Sequence, residues 1–146
     1  MTLADERKIV EKAHLFWGES DLEGLLSCFT DDIVDNVNVD GKQVPYAASA
    51  TGKDAVRQRL QLLLDTFEVQ AFVIESIIHT AECTKTRVLG FYKHKVTGER
   101  LDIFPHFHAF VRNGLIHRLD EIQDAPYVEA FQRFVAYLEA AARKDE

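Results

Sequence analysis

Asn113-Gly114 lies between two runs of strand-forming residues, "RLDIFPHFHAFV" (100–111) and "LIHRLDEIQ" (115–123), and it limits the fold more than any other feature of the chain. Both residues accept positive φ at low cost, which the central positions of a type I′ turn require. The two runs are therefore expected to pair as an antiparallel hairpin. Upstream, "EVQAFVIESII" (68–78) and "KTRVLGFYKHKV" (85–96) are rich in β-branched and aromatic side chains, and Thr97-Gly98 turns the second toward residue 100. Four consecutive strands of this kind predict an antiparallel meander.

The first half reads differently. Leu3, Ile9, Val10, Ala13, Phe16 and Trp17 fall near helical spacing, predicting an amphipathic helix over 3–18 that Gly18 ends. Ser20-Asp21-Leu22-Glu23 has the form of a capping box, followed by Leu22, Leu25, Leu26 and Phe29 on one stripe. A third helix is expected after Thr51-Gly52, turning Val56, Leu60, Leu63 and Leu64 inward. Between these lie a short strand (33–39), a turn at Asp31-Asp32 and the loop "DGKQVPYAASATG". A closing helix begins near Pro126, with Asp124 as its cap and Tyr127, Val128, Phe131, Phe134, Val135 and Leu138 on its apolar stripe. No linker, repeat or low-complexity tract interrupts residues 1–146, so one α+β domain is expected, with helices packed on one sheet face.

Charge narrows the partners. Seventeen basic against 24 acidic residues give a formal net charge of −7, which disfavours nucleic acid and anionic membrane surfaces. The start "MTLADERKIVEKA" is too charged for a secretory signal, and no apolar stretch is long enough to span a bilayer. Cys28 and Cys83 sit in apolar runs and read as buried free thiols, so a cytoplasmic location is expected. No phosphate loop, nucleophile elbow or dinucleotide fingerprint is present, and no cofactor is expected.

"SDLEGLLSCFTDDIVDNV", a helix ending in F-x-D-D before a strand, and "RNGLIHRLDEIQD", a hairpin glycine before an amphipathic strand, resemble the nuclear transport factor 2-like superfamily. That group holds ketosteroid isomerases, limonene-epoxide hydrolases and SnoaL-like polyketide cyclases. The resemblance covers nearly the whole chain. It implies a cystatin-like cone: a strongly curved, mostly antiparallel sheet wrapped around the N-terminal helices, an apolar pocket, and a C-terminal helix. It also implies a homodimer through the outer sheet face. The isomerases' general base maps to Val37 and their helix-one tyrosine near Ala13, and neither can do that chemistry. The hydrolases' water-activating aspartate maps to Glu121, a usable carboxylate, but its arginine and second-aspartate partners map to Val88 and Gly90.

Strand alternation supplies the remaining candidates, because alternate residues share a face. Leu119, Glu121 and Gln123 form one set, which the family's parity directs into the cone. Asp35 is a lone carboxylate in the apolar set Ile33, Val37 and Val39. A carboxylate among apolar neighbours has its proton affinity raised, which suits acid-base work near neutral pH. The ketosteroid isomerases follow the same logic, and the comparison with them is one of analogy. His106 and His108 share a face that counting from Gly114 makes the outer one, unless Pro105 marks a reversing bulge. H-x-H lacks the further ligands a metal site needs, so no metal is expected. His108 maps close to the isomerases' enolate-binding acid, and His106 is its companion toward a ligand. Tyr92 shares parity with Val88 and Gly90, so its hydroxyl could reach a ligand; Trp17 and Phe16 read first as core beside the cone, with Trp17 the further candidate for contact with a ligand.

Three readings stay open. One is a cofactor-free isomerase, hydratase or epoxide hydrolase acting on an apolar small molecule, with Glu121 or Asp35 moving the proton and His108 or Tyr92 polarising oxygen. Another is a non-catalytic binder of a hydrophobic ligand. The third is a dimeric association module.

Overall fold

The computed structural model describes residues 2–144. Helix α1 (Leu3–Gly18) starts from a capping box in which Thr2 accepts from the Asp5 amide and the Asp5 side chain accepts from Thr2. Helix α2 (Leu22–Leu26) is a short turn capped by Asp21, whose carboxylate accepts from the Gly24 amide at 2.9 Å. Asp21, rather than Ser20, is thus the cap. Ser20 instead takes the left-handed conformation (φ 58°) that reverses the chain. Strand β1 (Phe29–Val37) begins before the expected residue 33 and absorbs Asp31 and Asp32, which were expected in a turn. A 3-10 turn (Pro45–Ala47), the short strand β2 (Ala50–Thr51) and helix α3 (Lys53–Thr66) follow.

The second half is β-rich: β3 (Phe67–His79), β4 (Thr84–His94), β5 (Arg100–Ile103), β6 (His106–Arg112) and β7 (Leu115–Ile122), closed by α4 (Ala125–Lys144). The expected 100–111 strand is broken at Phe104-Pro105. Proline has no amide hydrogen to give a ladder, and its carbonyl instead accepts from the Val88 amide at 3.1 Å. Asn113 (φ 51°) and Gly114 (φ 83°) both take positive φ, and the β6–β7 hairpin forms on them.

The sheet order is β2-β1-β7-β6-β4-β3, with β5 paired to β4. One pairing departs from an antiparallel meander: β1 runs parallel to β7, setting Asp35 opposite Leu119 and Val37 opposite Glu121. Register shifts between Val69 and Ala71 and between Ile74 and Ser76 bend β3, so the sheet curves around the helices. The core lies in that concavity. Ile33, Ile116, Val56 and Val135 are almost fully buried, each worth roughly 1.5–3 kcal/mol in apolar burial. Among the described residues no helix is long and apolar enough to cross a membrane.

Candidate functional site

The concave face encloses a cavity of about 90 Å³, walled mainly by Val10, Leu25, Leu60, Leu63, Phe72 and Phe107. One water needs about 10–15 Å³ on a comparable measure, so the space suits several waters or a small organic group. Ionisable and hydroxyl groups enter this apolar wall at a few points: Asp35, Glu121, Arg59, His14, Tyr46 and Tyr92.

Asp35 is placed by β1 and Glu121 by β7, on the face that strand alternation assigns them, and Val37, Leu119 and Gln123 share the same wall. Between the two carboxylates stands Arg59, reaching over from α3. Its Nη2 donates to Asp35 Oδ2 and, at 2.8 Å, to Glu121 Oε2. Its Nη1 makes a longer 3.5 Å bond to the Tyr46 carbonyl. Asp35 is 1% exposed and Arg59 8%, so this ion cluster lies almost wholly out of water. The loop carrying Tyr46 is tied back by Ser49, whose hydroxyl bonds both the amide and the carbonyl of Val37.

Burial, reinforced by the neighbouring Glu121 charge, holds Asp35 well above the usual carboxylate range, against the lowering pull of Arg59. Desolvation acts to lower the Arg59 pKa, yet the two carboxylates outweigh it and raise the guanidinium above its ordinary value. Asp35 Oδ1 and Arg59 Nε are buried and have no protein partner among the described residues.

Trp17, Tyr92 and His14 also line the wall, held by two further polar contacts. Trp17 Nε1 donates to the Tyr92 hydroxyl at 2.7 Å. His14 Nε2 lies 2.9 Å from Thr86 Oγ1, with the imidazole packed against the rings of Phe72 and Phe107. Burial pushes His14 down to about 4, with the Glu121 charge pulling the other way, so the ring is neutral near pH 7.

His106 and His108 stand apart. His106 is exposed and His108 half-buried, and neither lines the cavity, whereas Phe107 between them does. The Phe104-Pro105 break interrupts the strand before this pair and does not turn it inward. His108 is therefore corrected from a catalytic candidate to an outer-face residue opposite Asp120 in register, and His106 from a ligand contact to a solvent-facing one.

Val88 and Gly90, where the hydrolases' arginine and second aspartate would stand, are buried in β4. A Cβ on Gly90 would meet Ile103 at 3.0 Å and the Tyr92 ring at 3.1 Å, so a side chain there would have to displace both. Arg59 comes from another element altogether. A signal for it was present: Val56, Arg59, Leu60 and Leu63 follow i, i+3, i+4, i+7 spacing, which puts the arginine on the buried stripe. His14 sits in the same pattern with Val10, Ala13 and Trp17. Among the described residues no cluster of three or more His, Cys, Asp or Glu is arranged to hold a metal ion.

Solved structures share this architecture. A proposed isomerase from Bacillus subtilis aligns with TM-score 0.78 at 14% identity, over 89% of this chain and 94% of its own. A nuclear transport factor 2-like protein of unknown function from Burkholderia pseudomallei gives 0.77 at 14%, over 88% and 95%. A proposed SnoaL-like polyketide cyclase from Mesorhizobium loti gives 0.66 at 25%, over 83% and 98%. No curated protein matches the sequence. The SnoaL-like domain profile matches residues 10–119, so the chain belongs to the SnoaL-like domain family of the nuclear transport factor 2-like superfamily.

Proposed function

We propose that the cavity binds a small, uncharged, largely apolar molecule and moves a proton on it, with Asp35 as the proton carrier. The observation that carries this reading is the convergence of Asp35 and Glu121 on one nitrogen of Arg59 inside an apolar wall. Two carboxylates and one guanidinium leave a surplus negative charge, which burial opposes, so one acid retains its proton. Asp35 is the acid whose proton affinity burial raises, and its Oδ1 has no protein partner among the described residues. Glu121 stays paired with Arg59. The geometry thus favours Asp35 over Glu121 as the group that exchanges a proton.

The matching chemistry is acid-base catalysis of the isomerase, hydratase or hydrolase kind, at a carbon made acidic by a neighbouring carbonyl or at an epoxide oxygen. Neighbours of this fold include a protein proposed as an isomerase and another proposed as a polyketide cyclase, which supports the class without fixing the substrate.

The test is hydrogen-deuterium exchange at the methyl group of acetophenone in D₂O, followed by NMR. The wild-type protein is expected to accelerate exchange, and Asp35→Asn to abolish it while keeping the fold and the ligand. Exchange that survives in Asp35→Asn would refute the assignment of Asp35. Tight binding without any exchange in the wild type would favour the hydrophobic-ligand carrier instead.

A further inference from the structure

Tyr92 lines the cavity from β4, and its oxygen receives the indole N–H of Trp17 at 2.7 Å. Indole can only donate, so this bond uses a lone pair of the tyrosine oxygen and leaves the phenolic proton to be placed elsewhere. Among the described residues no protein group accepts that proton. The hydroxyl is nonetheless buried, with Tyr92 only 3% exposed. A buried donor without an acceptor is costly, and its remaining direction is the cavity that Tyr92 helps to wall.

We infer that Tyr92 is a fixed hydrogen-bond donor for a carbonyl oxygen of the bound molecule, and that Trp17 is its positioning residue. A rotating hydroxyl could donate or accept. With Trp17 in place, Tyr92 is held as a donor, so the subsite prefers a ligand oxygen that only accepts. Burial holds the phenol above its usual pKa, with the Trp17 bond acting in the opposite direction. The group therefore polarises the ligand oxygen through a hydrogen bond and does not give up its proton. The rest of the cavity fits such a ligand. Leu25, Leu60, Leu63, Ile103 and Phe107 offer apolar contact, and the Asp35–Arg59–Glu121 cluster has no cationic surplus to hold a carboxylate ligand. The substrate class is thus a compact, uncharged ketone or aldehyde on an apolar frame. This inference rests on the ligand cavity of the proposed function but not on Asp35 as the proton carrier.

Trp17 is the only tryptophan in the chain, so its indole N–H gives a single unmistakable NMR signal. The probes are acetophenone and α-methylstyrene, which replaces the carbonyl oxygen with a methylene group of similar shape. When Tyr92 donates to the ketone its oxygen becomes a better acceptor, so acetophenone should move the Trp17 indole proton downfield. α-Methylstyrene should bind without that shift. The preference for ketone over hydrocarbon should fall about three- to tenfold in Tyr92→Phe, the usual range for one lost hydrogen bond. It should fall by a smaller factor in Trp17→Phe, each preference being the ratio of ketone to hydrocarbon affinity within one variant. Equal indole responses to the two probes, or a ketone preference untouched by Tyr92→Phe, would overturn the inference alone. Failure of both probes to bind would overturn it together with the ligand cavity. Retained ketone preference with no deuterium exchange would leave it standing and remove only Asp35's role.

Discussion

Asp35 and Glu121 approach from adjacent parallel strands and end on the same atom, Nη2 of Arg59. Each carboxylate is thus the other's competitor for one guanidinium edge. That competition makes the cluster sensitive to substitution and to pH.

Arg59→Leu should cost about 3–5 kcal/mol of stability, because it leaves two acids facing one another in an apolar wall without a cation. Adding Asp35→Asn and Glu121→Gln to Arg59→Leu should recover much of that loss. Urea unfolding of the single and triple variants measures both steps. A triple variant as unstable as Arg59→Leu would mean that the arginine supports the fold by packing and not by charge.

Asp35 has its pKa raised on folding, so its linkage sign is fixed. The stability it contributes is fully present below the unfolded aspartate value of about 3.9 and is lost as pH rises through the higher folded value. Asp35→Asn should therefore be at least as stable as the wild type near pH 7. It should also show a flatter dependence of melting temperature on pH above about 4. A variant clearly less stable at pH 7 would contradict the buried-acid account.

His14 carries the opposite sign. Its pKa falls from 6.5 to about 4 on burial, so its contribution is present above 6.5 and lost as pH drops toward 4. His14→Gln retains a group able to bond Thr86 and removes the titration. Its stability should decline less than the wild type's between pH 6.5 and 4. Identical pH profiles would place the imidazole in water.

The outer sheet face bears Phe104 at 61% exposure and Ile122 at 42%, beside half-buried Phe91 and Phe110. Arg118 lies over the Phe110 ring at 4.7 Å, and Arg100 over Phe91 at 6.0 Å. We propose this face as a homodimer contact, since its apolar groups are otherwise left to water. Sedimentation at micromolar concentration should give twice the chain mass, and Phe104→Lys with Phe110→Glu should halve it. A wild-type monomer would dismiss the contact.

The fold was legible because its strongest signals are local. A two-residue turn, a proline at a helix start and apolar stripes each act over a few residues, so Asn113-Gly114, Pro126 and the α1 stripe could be placed from sequence. Asp35 and Glu121 could be assigned a face by alternation. Arg59 and His14 were missed because a charged or titratable residue on an apolar helix stripe is ordinarily read as an interruption. Here each one is the polar group that the stripe delivers to the cavity. The parallel β1–β7 pairing was not legible either, since no turn connects strands so far apart in sequence. Local order predicted a meander, and long-range pairing modified it.

That pairing fixes when the cavity can exist. Synthesis from the N-terminus releases Trp17, Asp35 and Arg59 early, then Tyr92, and Glu121 only with the last strand. Until β7 docks beside β1, Arg59 has a single carboxylate partner and the apolar wall lacks Ile116 and Leu119. The cavity is therefore complete only once β7 is in place, and a molecule bound there, as proposed above, would stabilise the seam between the first strand and the last. A ligand that enters the cone would protect the β1–β7 joint, acting on the completed protein as a clasp rather than as a template for folding.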